Sequence, residues 1–375
     1  MIPFNSPVVI GREMEHVREA ACSRHLAGDG PFTKKDEALL REQLGAARVL
    51  LTTSCTHAIE MAALLLDIVP GDEVIIPSFT FVSTANPFVL RGATPIFADI
   101  RPDTLNIDER ASEALITPRT RAITVVHYAG IGCEMDTIQA TALRAGLTIL
   151  EDNAHGLFGR YRGRPLGSFG GLSTLSFHDT KNFTCGEGGA LVVNDPIFTD
   201  RAEILREKGT NRSRFFRGQV DKYTWIDVGS SYVPSELLAA FLFGQLEQYE
   251  LVQSRRAQVF NRYATELPDW ARRHGVGLPH VPFDCVPAYH LFYVRMPDLA
   301  TRQRFIAHMK ALAIHCVFHY LPLHLSPMGA RFGYKPGACP VTEQVSDTLV
   351  RLPFYTTMTS DDQARVIEAI QGFRP

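Results

Sequence analysis

At 375 residues the chain is long enough for two domains, or for one large domain with a smaller companion. Hydrophobic residues at 45% and charged residues at 21% are ordinary for a globular protein, and a formal net charge of −2 gives no general reason to expect nucleic acid or an anionic membrane as partner. No run of about eighteen apolar residues occurs, so no membrane-spanning helix is expected.

The opening "MIPFNSPVVIGREM" has no basic segment followed by an apolar run, so it does not read as a signal peptide. Seven strand-like runs then fill the first half, at 47–54, 73–78, 94–100, 121–130, 147–155, 173–178 and 188–194. Most are continuously apolar rather than alternating, which predicts a central sheet covered on both faces. Several are separated by helix-length segments, so crossover connections and a mostly parallel sheet follow. The segment 56–69 has helical spacing and is expected to stop at Pro70-Gly71. Helical patterning returns from Ser235 to about Leu267. The domain boundary is placed inside it, giving a large α/β domain over 1–250 and a small α+β domain over 251–375. In the latter, strands are expected at 288–296 and 314–320 around a helix at 300–312. A terminal helix is expected to open on a capping box of Ser360 with Gln363 and to end at Gly372. The scattered cysteines, Cys22, Cys55, Cys133, Cys185, Cys285, Cys316 and Cys339, contain no C-x-x-C pair and predict a reducing, cytoplasmic setting.

Four features fall at the ends of the expected strands, where open α/β sheets bind ligands. "TSCTHAIE" opens a helix with small hydroxyl residues; it suits an anion site built on free N–H groups and Thr56, or a plain helix cap. "PSFTFVSTAN" sets Phe81 just past a strand, where it can stack on a flat ligand or join the core. "EDNAHG" ends an apolar strand on Asp152, either a carboxylate in a low-dielectric cleft that needs a cation or a cap for the next helix. "SFHDTKNFTCGEGGALVV" frames Lys181 between a strand and a glycine-rich turn, with Ser176 five residues before it. Together they supply what pyridoxal phosphate (PLP) requires: a phosphate cup, a stacking face, a carboxylate for the pyridine nitrogen and a lysine to bond the aldehyde. That lysine must lose its proton. Its ordinary pKa of about 10.4 has to fall to roughly 7 to 8, a change worth about 4 kcal/mol that burial can provide.

On these motifs the sequence resembles, over essentially its whole length, the sugar aminotransferases named for DegT, DnrJ, EryC1 and StrS. The resemblance implies PLP fold type I, with a central, mostly parallel seven-stranded sheet and a smaller C-terminal α+β domain. The segment "REKGTNRSRFFRGQVDKYTWIDVGSSY" (206–232) is similar to the subgroup that aminates carbon 4 of a dTDP-linked 4-keto-6-deoxy sugar. By this resemblance Lys181 is the lysine bonded to the cofactor and Asp152 faces the pyridine nitrogen. His155 contacts the ring hydroxyl and Phe81 stacks on the ring. Thr56, the backbone around His57, and Ser176 hold the phosphate. Many relatives bring an asparagine of a "GYNY" segment to that phosphate from the neighbouring subunit; here the segment reads "GSSY" and Ser231 takes its place.

Arg212, Arg214, Arg217 and Lys222 are candidates for the sugar nucleotide's diphosphate, against a reading as a solvated charged loop. His319, Tyr320 and His324 are placed near the sugar. No metal is expected there, because Val317, Phe318 and Pro322 favour a strand and turn over the helix that His-x-x-x-His ligation wants. The implied reaction is a two-stage exchange in which an amino acid, L-glutamate by resemblance, gives up its nitrogen before the keto sugar takes it. The implied assembly is a homodimer with shared active sites. Dehydratases of the same fold carry histidine where this chain has Lys181. A sensor that merely kept the fold would not need Lys181, Asp152 and Ser176 together. A nicotinamide enzyme would show G-x-G-x-x-G after the first strand, and none is present.

Overall fold

The computed structural model describes residues 1–374. All seven expected runs form strands, and these make one sheet: β1 (Arg48–Thr52), β2 (Glu73–Pro77), β3 (Thr94–Ala98), β4 (Thr120–Val126), β5 (Thr148–Asp152), β6 (Leu172–Ser176) and β7 (Gly189–Val193). The order across the sheet is β1-β7-β6-β5-β4-β2-β3. β7 alone is reversed, pairing antiparallel with both β1 and β6; the other pairs are parallel. The unbroken apolar runs have the expected cause. In β1, Leu50 packs on one face with Ala58, Met61 and Val193. Val49 and Leu51 pack on the other with Leu175, Phe177 and Leu242. A strand buried on both faces has no polar side to display.

The helix after β1 covers Cys55–Leu65, and Ser54 caps it by accepting from the His57 N–H at 3.1 Å. It ends before Pro70 because Asp67 already turns the chain with a φ of 50°. The helical region from 235 is two helices, Glu236–Leu246 and Tyr249–Glu266. A separate apolar cluster includes Phe260, Tyr263, Trp270, Phe305, Val366 and Ile370 and draws its members from beyond residue 250, with Ile2 as the exception. It supports the division at 250, which we keep as a proposal.

The C-terminal region departs from the sequence reading in three places. The strand expected over 288–296 shrinks to β8 (Tyr293–Arg295), paired with β9 (Leu349–Arg351). Upstream, side chains occupy the carbonyls that a ladder would use: Asn182 bonds that of Ala288, and Arg256 those of Tyr289 and His290. The strand expected over 314–320 is absent, since the segment spends its backbone on isolated bridges to two different partners, Ile2↔Ile314 and Val317↔Arg351. The terminal helix spans Ser360–Gly372 as expected, but its cap is Thr359, which accepts from the Asp362 N–H at 3.1 Å. No capping box forms, because Gln363 reaches instead to the Val259 carbonyl at 2.7 Å.

Candidate active site

The C-terminal ends of β4, β5 and β6 converge on one cleft. Asp152 is the last residue of β5 and lies between Val126 of β4 and Thr174 of β6. Its neighbour Glu151 points to the opposite face, as alternation along a strand requires. Glu151 is saturated there, accepting from the Gly167, Phe169 and Gly170 N–H groups at 2.6 to 2.8 Å and lying 2.8 Å from His127 Nε2. Asp152 has far less. Its Oδ2 accepts from the Thr84 hydroxyl at 2.7 Å, and Oδ1 has one long bond to the Ala154 N–H at 3.3 Å. Burial raises the Asp152 pKa, and the Thr84 bond and the charge of Lys181 offset only part of that rise.

Lys181 enters this cleft from the turn after β6. The turn starts with the Lys181 N–H donating to the His178 carbonyl at 2.9 Å. It returns through Gly186, whose φ of 85° strains any other residue. A side chain at Gly189 would lie 2.3 Å from the Cys55 nitrogen, so only glycine lets β7 pass this close to the helix start. Burial lowers the Lys181 pKa against the pull of Asp152 and Cys55, and the charge of Arg351 lowers it further. Both partners are therefore driven toward their neutral forms until an ionic ligand joins them.

A stack of rings closes the cleft. His155 is buried and lies 4.1 Å from the His290 ring at an interplanar angle of 19°. His155 Nε2 is 3.4 Å from the Tyr320 hydroxyl, while its Nδ1 is buried with no partner. Tyr320 stacks on His319 at 3.6 Å, and His319 Nδ1 meets the Tyr128 hydroxyl at 2.7 Å. Burial pushes His155, His290 and His319 well below the usual histidine range, so all three are uncharged. Phe81 stands at the rim, 56% exposed, with its ring 6.4 Å from that of Tyr320. An aromatic side chain this open beside a buried cluster is placed to meet a ligand.

At the helix start, Thr56 Oγ1 donates to Ser83 Oγ at 2.7 Å. The His57 N–H, expected to be free, is consumed by the Ser54 cap, which leaves the N–H groups of Cys55 and Thr56 without acceptors among the described residues. Ser176 ends β6 across from Gly189 and is half-buried. His324 does not belong to this group. It is fully buried, with Nδ1 at 2.6 Å from Ser78 Oγ and Nε2 at 3.0 Å from Glu343, so neither nitrogen can meet a sugar.

The cations of 206–232 lie apart from Lys181 within the chain. Arg212, Arg217 and Ser231 line a cavity of about 1070 Å³, shared with Lys34, Arg41 and Arg48. Arg217 is already paired with Glu203 at 2.7 Å and Arg214 with Asp200 at 2.7 Å. Arg212 lies over the Phe216 ring at 5.1 Å, and Lys222 is exposed. Among the residues that sequence reasoning missed, Thr84 sits inside the quoted "PSFTFVSTAN" and could have been found there. Asn182 sits inside the quoted "SFHDTKNFTCGEGGALVV" and could have been found in the same way, whereas Tyr128 and His290 carried no local signal.

The residues around Lys181 fit PLP. An under-bonded buried carboxylate, an unpartnered imidazole nitrogen, an open phenyl face and free N–H groups at a helix start match its pyridine nitrogen, hydroxyl, ring and phosphate. Comparison with known proteins agrees. The sequence profile of the DegT/DnrJ/EryC1/StrS aminotransferase family matches residues 8–371. The spore coat polysaccharide biosynthesis protein SpsC of Bacillus subtilis is 34% identical over 378 residues, covering 99% of this chain and 96% of SpsC. The aminotransferase TlmJ of Streptoalloteichus hindustanus superposes with a TM-score of 0.90 at 29% identity, covering 99% of this chain and 98% of TlmJ. Spr1654 of Streptococcus pneumoniae in its PLP form gives a TM-score of 0.91 at 25% identity, covering 99% of this chain and 97% of Spr1654. On its sequence from end to end, its fold and its cleft, this chain belongs to the DegT/DnrJ/EryC1/StrS aminotransferase family and is a PLP-dependent transaminase.

Proposed function

We propose that the chain moves an amino group from an amino acid, L-glutamate by family resemblance, to carbon 4 of dTDP-4-keto-6-deoxy-D-glucose, giving a dTDP-4-amino-4,6-dideoxy-hexose. The observation that carries the transfer is Asp152, buried and under-bonded in the cleft that Lys181 enters. The choice of sugar rests on the 206–232 segment and its similarity to the C4-aminating subgroup. Bound PLP supplies the electron sink for breaking a C–H bond.

In this reading Lys181 would hold the cofactor through Nζ and, once released from it, would carry the proton to and from carbon 4 of the sugar. Burial lowers its pKa, the direction that proton transfer by an amine requires. Asp152 would keep the pyridine nitrogen protonated, and His155 Nδ1, which has no partner in the fold, would hold the ring hydroxyl. Phe81 covers the ring; Thr56 and Ser176 hold the phosphate with the N–H groups of the helix start. His319 and Tyr320 face the sugar. Arg212, Lys222 and Ser231 serve the neighbouring subunit of a cytoplasmic homodimer, with Arg217 available to the diphosphate once it leaves Glu203. No helix among the described residues is long and apolar enough to cross a membrane.

The test is to incubate the protein with PLP, L-glutamate and dTDP-4-keto-6-deoxyglucose and to identify the product by NMR. The expected result is amine at carbon 4, ping-pong kinetics, and loss of both the visible band of bound PLP and the product in Lys181→Ala. A product aminated at another carbon, or none from this nucleotide while other keto sugars react, would refute the substrate assignment.

A further inference from the structure

His155 can serve a cofactor's ring oxygen only if its proton sits on the right one of its two nitrogens. The ring is buried and uncharged, so one nitrogen donates and the other accepts. Nδ1 has no partner in the fold and is the atom left for a ligand. Nε2 lies 3.4 Å from the Tyr320 hydroxyl, a long bond of the kind that tightens when a ligand closes a site. Among the described residues no other polar side chain bonds the edge of this ring. His290 meets it face to face, at 4.1 Å and 19°, and His290 Nδ1 is occupied by Asn182 Oδ1 at 2.9 Å. The Asn182 amide cannot be reversed, because its Nδ2 donates to the Ala288 carbonyl at 2.7 Å. His319 also lies nearly parallel to His155, with centroids 6.1 Å apart, and its Nδ1 is taken by the Tyr128 hydroxyl.

The direction of the Tyr320 bond then decides the tautomer. Burial raises the Tyr320 pKa, so the side chain is a phenol with a proton to give. His155 Nε2 is the sole acceptor of that proton among the described residues. A bond in this direction requires a lone pair on Nε2 and therefore a proton on Nδ1. The reverse arrangement would set a lone pair of Nδ1 against the electron-rich ring oxygen and leave the phenol proton unused. Other rings hold Tyr320 in place: it stacks on His319 at 3.6 Å and meets Phe79 edge-on at 5.5 Å.

We propose that Tyr320 is a positioning residue that fixes the proton of His155 on Nδ1, so that His155 donates to the cofactor's ring oxygen. The assignment rests on the aminotransferase reading above and deepens it. Besides facing the sugar, the Tyr320 hydroxyl acts through His155 before any sugar arrives.

Nitrogen-15 NMR of the cofactor-free protein reads the tautomer directly, with His155→Gln identifying the resonances. The native chain is expected to show a protonated Nδ1 and an unprotonated Nε2 at His155. Tyr320→Phe keeps the ring stack but removes the hydroxyl, and the opposite tautomer should then become populated. PLP affinity, titrated by the visible band with neither substrate present, gives a second readout. Tyr320→Phe is expected to raise the half-saturating PLP concentration about 10-fold, the worth of one hydrogen bond to a charged acceptor. A glutamine amide carries its N–H donors permanently. In a His155→Gln background the same Tyr320→Phe change should therefore alter PLP affinity by less than about twofold. Should Tyr320→Phe fail to fold, the tautomer of the native chain still decides. A native His155 protonated on Nε2 overturns the proposal, as does an unchanged tautomer in Tyr320→Phe. An equal loss of PLP affinity with and without His155 also overturns it, because a mere packing role gives that result. A native chain that takes up no PLP would refute the cofactor reading itself, a failure the tautomer measurement keeps distinct.

Discussion

Glu151 and Asp152 are adjacent carboxylates with opposite situations, and the contrast identifies the working one. Glu151 has every lone-pair direction answered from within the fold; Asp152 has one strong bond, from Thr84. Thr84 also meets Thr80 Oγ1 at 2.8 Å, so its hydroxyl is held in place to donate. It is a positioning residue acting through Asp152. In Thr84→Val the carboxylate loses that donor, the ionised form is less favoured, and the Asp152 pKa rises. The acid limb of the kcat/KM profile should then move to higher pH, with a loss of about 10- to 100-fold below that limb's midpoint, the worth of a bond to a charged group. A limb that stays in place while the rate falls would show that Thr84 only supports packing. At this scale the sequence was partly legible. Asp152 and Lys181 follow strands and precede turns, a position that reads directly from apolar runs and glycines. His290 reaches the cleft from beyond residue 250, where it stacks on His155, and a single chain offers no local signal for such a meeting. His324 misled because one histidine motif held two different environments: His319 faces the ring stack, while His324 is locked between Ser78 and Glu343.

Among elements, legibility followed burial. The sheet strands are covered on both faces, so most wrote a continuously apolar run into the sequence. The C-terminal strands are three residues long, and side chains from elsewhere occupy the carbonyls around them. Their limits depend on tertiary bonds that propensity does not contain. The last helix shows the same effect at its start, where two hydroxyl residues adjoin and only one caps. Thr359 is extended, with φ −74° and ψ 155°, and its side chain accepts from the Asp362 N–H. Thr359→Ala should therefore lower stability by about 1 kcal/mol, as loss of a helix cap does, while Ser360→Ala should change it by less than about 0.5 kcal/mol. Urea denaturation of the two variants decides the matter, and a reversed order would restore the capping box anchored at Ser360.

For the whole molecule, the 206–232 segment is the part that a single subunit does not explain. Phe216 is 68% exposed and Trp225 is 76% exposed, with Tyr223, Ile226 and Val228 also open to solvent. Large apolar side chains grouped on one surface segment mark a contact site rather than a solvated loop. The adjoining cavity carries Arg212, Arg41 and Lys34, cations without acidic partners among the described residues. Apolar anchors beside spare positive charge are what a subunit would need to grip its twin and to lend cations to the twin's anionic substrate. On that argument we propose a homodimer whose two clefts are each completed across the interface. Phe216→Ser with Trp225→Ser removes two aromatic anchors, each worth at least about 1 to 2 kcal/mol at an interface, so the dimer constant should weaken about 30-fold or more. Sedimentation over a dilution series reads that constant directly. If clefts are shared, specific activity should fall along the same dilution curve and recover at high protein concentration, because monomers retain Lys181 and Asp152 but lack the borrowed cations. Activity that stays constant while the dimer dissociates would confine the substrate's diphosphate to residues of one chain. Arg212 and Lys222 would then have to be reassigned to the interface alone.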